Sequence, residues 1–254
     1  MNRNIKESVR KVLPRSIGQH RILGGPLRGF RIVTSWFDYP AAILGRTELP
    51  LLQWFSSQAG AGETWLDIGA HYGYTAIALC RQVGIGGRVY AFEPMLVSAG
   101  CLARSRTLNN FPQLTVIPVA LGDQDDLCIQ SLPEVRGMVD STFKGSSFGE
   151  SFLLSTLDWI WPHICEGRGH IDGVKVDVQG MELAVLRGMT GILRQYKPKL
   201  AVEFHKGVDR KQVLDLLAEI GYSLPGLAIE PGRGEAVPQY IDDRSYAFLP
   251  SGSK

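Results

Sequence analysis

The spacing of hydrophobic and polar residues changes along this chain, and it predicts which segments are strands and which are helices. From residue 63 onward, short apolar runs alternate with longer stretches whose apolar residues recur at helical spacing. This alternation indicates an α/β fold with a mostly parallel, Rossmann-like sheet and helices on both faces. Strands are predicted at 64–67, 88–92, 114–119, 172–177 and 199–204, and helices at 73–83, 95–109, 180–194 and 209–220.

The first sixty residues follow a different pattern, and we interpret them as a small N-terminal cap. Residues 4–13 predict a short helix, residues 25–34 a turn and hairpin, and residues 48–58 a second helix. We therefore divide the chain into a helical and hairpin cap, residues 1–60, and a main domain, residues 61–254. We expect the two parts to form one compact unit.

Two later segments carry weaker signals. Between residues 122 and 162 the alternation fades, and the stretch 137–150, rich in glycine and serine, is interpreted as a loop. Residues 226–231 and 245–249 predict a final antiparallel pair of strands.

Composition and charge exclude several classes of protein. The 254 residues suffice for one large α/β domain, and the net charge of +2 gives no electrostatic argument for a nucleic-acid partner. No apolar run approaches the roughly 20 residues that cross a bilayer, so no transmembrane segment is expected. The four cysteines lack C-x-x-C spacing, which is typical of a reducing compartment. We therefore predict a cytoplasmic protein.

Basic residues are concentrated in the first 31 positions, which contain eight lysines and arginines and a single acidic residue, Glu7. We favour a solvated surface, because the apolar face of this segment is small. The alternative is a patch that binds anionic lipid or an anionic substrate.

The most informative motif is the turn after the first strand of the main domain. The strand at 64–67 ends on Asp67, and the loop that follows carries Gly69 and Gly73 before a helix begins. Twenty residues past Gly73, the next strand ends on Glu93. These are the parts of a nucleoside-binding βαβ unit, in which the second acid accepts the hydroxyls of a ribose.

The spacing and charge of this turn argue against a dinucleotide. The glycines are separated as Gly69-x-x-x-Gly73, and the tight G-x-G-x-x-G turn that holds a pyrophosphate is missing. A carboxylate at Asp67 repels a pyrophosphate and attracts an ammonium or sulfonium group. S-adenosylmethionine carries both cations and a ribose, so we favour it over NAD. An equally weighted alternative is that Asp67 bonds backbone N–H groups and shapes the turn.

Ligands of open α/β sheets bind beyond the carboxyl ends of the strands, near the point where the strand order reverses. We therefore predict the donor site from the residues at those ends. Two of these residues have alternative interpretations: Tyr72 could pack in the core, and His71 could be exposed to solvent. The predicted donor-binding residues are Asp67, Gly69, Ala70, His71, Tyr72, Gly73, Glu93, Pro94, Ala120 and Leu121.

The last two parallel strands bring further charged groups to the same edge. Lys175 and Asp177 share one face of their strand, and Glu203 shares a face with His205. A structural lysine–carboxylate pair explains Lys175. We predict that His205 is a general base whose tautomer is held by Glu203, with Asp177 as the second catalytic candidate. A metal ion bound by this cluster is a minority alternative that no spacing motif supports, so no metal is predicted.

Several of these segments together resemble the ordered motifs of the FkbM-type methyltransferases. The likeness runs from about residue 25 to residue 225. It implies a class I methyltransferase fold and S-adenosylmethionine as the donor, with S-adenosylhomocysteine as the product. It also implies O-methylation of a sugar, glycolipid or polyketide-type acceptor. The motifs are Leu66-Asp-Ile-Gly-Ala-His-Tyr-Gly-Tyr-Thr75, Ala91-Phe-Glu-Pro94, Val119-Ala-Leu-Gly122, Thr156-Leu-Asp158, Val174-Lys-Val-Asp-Val-Gln-Gly-Met-Glu182 and Glu203-Phe-His205.

The chain departs from that family at two positions, and two other classes stay open. His71 stands where the family often has Asn, and Gln179 where it often has Glu, so position 179 supplies no base here. An NAD-dependent oxidoreductase shares the βαβ unit but requires the tighter glycine turn. The second class is a non-catalytic binding module with the same fold. The acids and bases collected at one edge of the sheet argue against it, because such a module does not require them.

Overall fold

The computed structural model describes residues 12–124, 128–135, 138–139, 149–232 and 235–252. Residues 4–11 of the helix predicted at 4–13 lie outside these ranges, and its last two residues are not helical. The helices are α1 (Pro40–Leu44), α2 (Leu49–Gln58), α3 (Tyr74–Val83), α4 (Leu96–Asn109), α5 (Leu157–Ile164), α6 (Glu182–Arg187), α7 (Thr190–Tyr196) and α8 (Arg210–Ile220). Within the described ranges, no helix has the length and apolarity needed to cross a bilayer.

Thirteen strands are described, and they form three sheets. The strands are β1 (Gly18–Arg21), β2 (Arg31–Thr34), β3 (Thr64–Ile68), β4 (Arg88–Phe92), β5 (Leu114–Ile117), β6 (Val119–Leu121), β7 (Cys128–Val135), β8 (Met138–Val139), β9 (Gly149–Ser155), β10 (Gly173–Val176), β11 (Lys199–Phe204), β12 (Leu227–Ala228) and β13 (Arg244–Phe248).

The central sheet has seven strands in the order β12-β13-β11-β10-β3-β4-β5. Strands β5, β4, β3, β10 and β11 run parallel, whereas β13 is antiparallel to both β11 and β12. The chain first adds β4 and β5 on one side of β3, and then returns to place β10 and β11 on the other side. This reversal leaves a crevice between the carboxyl ends of β3 and β10. The predicted α/β fold and the final antiparallel pair of strands are confirmed.

Two hydrophobic cores cover the two faces of this sheet. Alternate residues of β3 point to opposite faces, so that Leu66 and Ile68 enter one core while Trp65 enters the other. The core around Trp65 also contains Ile32 and Phe55 from the first sixty residues. The N-terminal segment and the sheet therefore share a core, and the division at residue 60 remains a prediction.

Two elements predicted as single pieces are divided in the structure. The strand predicted at 114–119 is β5 followed by β6, because Pro118 has no N–H to donate to a sheet ladder. The helix predicted at 180–194 is α6 followed by α7. A Cβ on Gly188, which ends α6, would lie 1.7 Å from the carbonyl oxygen of Gly122, so glycine is required where these segments meet.

The region between residues 122 and 162 contains a second sheet that the sequence pattern did not reveal. Strand β9 pairs parallel with β6 and antiparallel with β7, and β8 pairs with β7. The prediction of a loop at 137–150 is therefore wrong for the residues that form β8 and the start of β9. The remaining residues of that stretch lie outside the described ranges. Pro133 inside β7 lowers the strand signal of that segment.

Candidate functional site

A cavity of about 450 Å³ opens at the carboxyl ends of β3, β4 and β10, in the crevice that the strand reversal creates. We call it the donor cavity. Three of the predicted donor residues, Asp67, Tyr72 and Gly73, do not line it. The predicted residues that line it are Gly69, Ala70, His71, Glu93, Pro94, Ala120, Leu121 and Asp177.

The turn after β3 follows a path that only glycine allows at its first position. Gly69 has a φ of +78°, and a Cβ there would lie 1.7 Å from the carbonyl oxygen of Asp177. The N–H groups of Gly69 and Ala70 both donate to the carbonyl oxygen of Phe92. The turn is thereby fixed against both neighbouring strands and forms one wall of the donor cavity.

Glu93 is a buried carboxylate at the end of β4 that borders the donor cavity. One oxygen accepts the backbone N–H of His71 at 2.7 Å, and the other accepts that of Met95 at 3.0 Å. Burial raises the pKa of Glu93 to about 7, although the two N–H groups oppose the shift. Each oxygen keeps a lone pair, so the side chain can still accept two hydroxyl groups.

Asp67 lies beneath the turn, with its side chain fully buried. It accepts the Thr75 hydroxyl at 2.7 Å, and its second oxygen lies 3.2 Å from the ammonium of Lys175. The turn-shaping alternative placed backbone N–H groups on this carboxylate, whereas the structure shows a hydroxyl and an ammonium there. Asp67 does not line the donor cavity, and its contact with the donor stays a prediction.

Lys175 connects the turn to the adjacent strand. Its ammonium donates to the carbonyl oxygen of Gly69 at 2.8 Å and lies 3.2 Å from carboxylate oxygens of Asp67 and Asp177. Burial favours the neutral amine, but Asp177 and Asp67 hold the pKa of Lys175 above its usual value. One hydrogen bond to a carbonyl oxygen and ion pairs with two carboxylates hold this buried ammonium, so we assign the lysine a structural role.

The two aromatic residues of the turn differ in their surroundings. Tyr72 is buried and its hydroxyl donates to Asp38, which places it in the core as the alternative anticipated. The ring of His71 packs between Tyr39 and Tyr72. Burial lowers the pKa of His71 to about 4, so the ring is neutral. Its Nε2 has no hydrogen-bond partner among the described residues.

His205, at the end of β11, lies behind the cavity and does not line it. Its Nδ1 contacts Glu182 at 2.6 Å, its Nε2 contacts Gln179 at 2.8 Å, and the same Nε2 lies 3.5 Å from Asp177. Burial opposes protonation, but the hydrogen bond that Nδ1 donates to Glu182 and the nearby carboxylates raise the pKa of His205 to about 9. An imidazolium has no lone pair to accept a proton, whereas the neutral ring accepts the amide N–H of Gln179 at Nε2. The base role of His205 stays a prediction.

The carboxylates beside His205 differ in basicity. Burial opposes ionisation of Asp177, yet Lys175 and His205 hold its pKa below the usual range. Burial, Asp177 and Glu48 raise the pKa of Glu203 to about 8. Such a divergence between neighbouring acids is typical of sites that transfer protons. The ligand atoms of Asp177, Glu203 and His205 also lie within 4.8 Å of one another, a spacing compatible with a cation, and we assign none.

A second cavity of about 480 Å³ adjoins the first. Arg46 and Arg244 line it, and it shares Glu48 and Glu203 with the donor cavity. The sequence analysis did not detect this cavity. Glu48 belongs to the N-terminal segment and carries no local signal, because only the tertiary fold brings it beside β11.

The parallel sheet with its reversed strand order and antiparallel β13, the glycine turn at the switch point and the buried acid after β4 are the features of a class I methyltransferase fold. The family model of the FkbM methyltransferase domain matches residues 67–224, and the chain belongs to this family. It is also 30% identical over 180 residues to the hexuronic acid methyltransferase AglP of Haloferax volcanii, a match that covers 68% of this chain and 69% of that protein. The predicted family is confirmed, and the protein is an S-adenosylmethionine-dependent methyltransferase.

The chain is also similar to solved structures at low sequence identity. The FkbM methyltransferase from Methylobacillus flagellatus KT is 19% identical, with a TM-score of 0.49, and the match covers 83% of this chain and 52% of that one. This chain thus spans about half the length of that protein. Fibrillarin from Aeropyrum pernix, solved with natively bound S-adenosylmethionine, is 16% identical, with a TM-score of 0.46 over 92% of this chain and 88% of that one.

Proposed function

We propose that this protein methylates a hydroxyl group of a sugar, glycolipid or polyketide-type acceptor, with S-adenosylmethionine bound in the donor cavity. The observation that carries the proposal is the composition of that cavity. It joins Glu93, a carboxylate with free lone pairs, to Asp177 and Glu203, two acids of unequal basicity. Glu93 suits the hydroxyls of a ribose, and the pair of Asp177 and Glu203 suits a group that loses a proton.

The residues around the donor cavity fit this donor. Glu93 is placed to accept ribose hydroxyls, and the lack of a side chain at Gly69 lets the turn that walls the cavity pack directly on the backbone of Asp177. Ala120 and Leu121 add apolar wall at the end of β6. When bound, S-adenosylmethionine supplies a methyl group on a positively charged sulfur, and the ionised Asp177 lies in the same cavity.

The chain's own part in catalysis is to position the acceptor and to take its proton. A free alcohol is a poor nucleophile, so a base must receive the proton as the new bond forms. We place that base in the cluster of Asp177, Glu203 and His205, with the charged His205 positioning the two carboxylates. Orientation of the reactants can contribute on the order of 7–11 kcal/mol.

The similarity to AglP, a hexuronic acid methyltransferase, supports a sugar-like acceptor. We propose a small-molecule or lipid-linked glycan, since the second cavity adjoins the donor cavity and is lined by charged side chains that can bond hydroxyl groups.

Calorimetry and a transfer assay test the proposal. Purified protein is titrated with S-adenosylhomocysteine and, separately, with NADH, and labelled S-adenosylmethionine is then supplied with a panel of hydroxylated acceptors. We expect binding of S-adenosylhomocysteine and labelled methyl ethers. Tighter binding of NADH would select the oxidoreductase alternative. Donor-product binding without transfer to any acceptor would select a binding module.

A further inference from the structure

We propose that the second cavity holds the acceptor and that Glu203 is the catalytic residue that takes the proton of its hydroxyl group. This inference rests on the proposed function, which it deepens by naming the base and the class of acceptor. The second cavity is lined by side chains from the loop before α2, from the segment after β12 and from β13.

The position of Glu203 between the two cavities is the first argument. Of the residues that the structure describes, only Glu48 and Glu203 line both cavities. A methyl group that passes from a donor in one cavity to an acceptor in the other must pass these two carboxylates. His205 lines neither cavity, and Asp177 lines the donor cavity alone.

Glu203 is better fixed than Glu48. It belongs to β11, an inner strand of the sheet, and its Oε2 accepts the hydroxyl of Ser245 at 3.3 Å. Its Oε1 lies 3.5 Å from Nε2 of His205. Glu48 precedes α2 in a loop and bonds the neighbouring Thr47 at 3.3 Å. A proton acceptor has to be held within a fraction of an ångström, which favours the residue on the strand.

The charges around the second cavity select the class of acceptor. Four acids line it, Glu48, Glu203, Glu230 and Asp243, against two bases, Arg46 and Arg244. When Glu203 acts as a base it is ionised, and the acids then outnumber the two bases even if burial, which raises the pKa of Glu48, keeps that residue neutral. This excess of negative charge disfavours an anion. Carboxylates accept and guanidinium groups donate hydrogen bonds to hydroxyls. We therefore infer a neutral, polyhydroxylated acceptor, in contrast to a hexuronate.

The proton transfer balances without any further reactant. The hydroxyl oxygen of the acceptor forms a bond to the methyl carbon, and the electron pair of the broken C–S bond stays on sulfur. The O–H proton passes to a carboxylate oxygen of Glu203, which becomes a neutral carboxylic acid. The positive charge of the sulfonium and the negative charge of the Glu203 carboxylate are both neutralised in this step. The proton then leaves Glu203 for solvent through the second cavity.

The groups that face Glu203 from each neighbouring element tune it for this task. Burial, Asp177 of the β10 end and Glu48 of the N-terminal segment raise its pKa to about 8, while His205 and Lys175 oppose the shift. Arg244 and Asp243 face the same cavity from β13 and the turn before it. A base whose pKa lies near the working pH transfers protons efficiently.

The test compares Glu203→Gln with Glu219→Gln, a control on the surface of α8 whose partner is Arg194. For Glu203→Gln we expect kcat to fall by about 100-fold or more, since general bases contribute about 10²–10⁴-fold. The Kd for S-adenosylhomocysteine should stay within about twofold. Wild-type kcat should rise with pH and level off above about 8, and this rise should vanish in Glu203→Gln. A neutral hexoside should show a lower KM than the matching hexuronide.

A second readout keeps this inference separable from the proposed function. Infrared titration of the carboxyl band needs no turnover. The wild type should lose a protonated carboxyl near pH 8 in addition to that of Glu93 near pH 7, and Glu203→Gln should lack only the change near pH 8. Its absence in the wild type overturns the inference, whether or not a hydroxyl is methylated. Retention of kcat within fivefold in a folded Glu203→Gln also overturns it. So does activity that EDTA abolishes and Mg²⁺ or Mn²⁺ restores, because Glu203 would then be a metal ligand.

Discussion

Replacement of Glu93 by Gln tests how the donor cavity recognises its ligand. The two oxygens of Glu93 each hold one backbone N–H, at 2.7 and 3.0 Å, and each keeps one lone pair for the ligand. Glutamine preserves the size of the side chain but offers one acceptor oxygen and no charge. Its NH₂ group also meets a backbone N–H that needs an acceptor.

The magnitude follows from the loss of charge-assisted hydrogen bonds. Hydrogen bonds to charged groups contribute about 1.5–3 kcal/mol, so a net loss of about 2–3 kcal/mol predicts a Kd about 30- to 150-fold weaker. The pH dependence has a definite sign. The pKa of Glu93 in the free protein is about 7, and ribose hydroxyls favour the ionised form. Binding therefore releases a proton, and affinity rises about tenfold between pH 6 and pH 8.

Isothermal titration of S-adenosylhomocysteine at several pH values measures both effects. The control is Glu219→Gln, which should bind like the wild type at every pH. The assignment of Glu93 to the ribose is refuted if the Glu93→Gln protein, folded by circular dichroism, binds within threefold of the wild type. It is also refuted if the increase of affinity with pH persists unchanged in the variant.

Three further predictions concern the groups that hold the site together. Lys175→Met should lower the free energy of unfolding in urea by about 3–5 kcal/mol, because buried Asp67 loses its cation; a loss under 1 kcal/mol would contradict the structural role. The raised pKa of His205, about 9, stabilises the fold fully below its unfolded value of 6.5, and this stability is lost as the pH rises through 9. His205→Asn should flatten the fall of melting temperature across that window, and an unchanged slope would remove His205 as its source. Gly69→Ala should destabilise far more than Gly62→Ala, because a Cβ at Gly69 meets a carbonyl oxygen at 1.7 Å whereas nothing lies within 4 Å at Gly62; equal urea midpoints would show that the close contact is relieved.

The elements that could be predicted from the sequence were those with uninterrupted apolar runs. Strands β4 and β11 have the predicted bounds, because both are buried strands with sharp ends. The second sheet was missed, since its strands mix polar and apolar residues and include Pro133. Local pattern carries no information about which distant strand will pair with such a segment.

The site was predictable where a residue's role follows from its place at a strand end. Glu93 and Asp177 belong to this group, and both border the donor cavity. Asp67 occupies the same kind of place but is covered, because the register of β3 and β10 puts Lys175 directly beside it. Glu48 could not be found, since it approaches Glu203 only through the packing of the N-terminal segment.

The antiparallel strand β13 is inserted between β11 and β12, although it follows both of them along the described part of the chain. During synthesis, the flank of β11 stays uncovered until residue 248 has left the ribosome. A fragment that stops at residue 224, where the family match ends, would permanently present that flank as a template for another chain. We therefore expect the pairing of β13 with β11 to cover this edge and to limit self-association of the newly made chain.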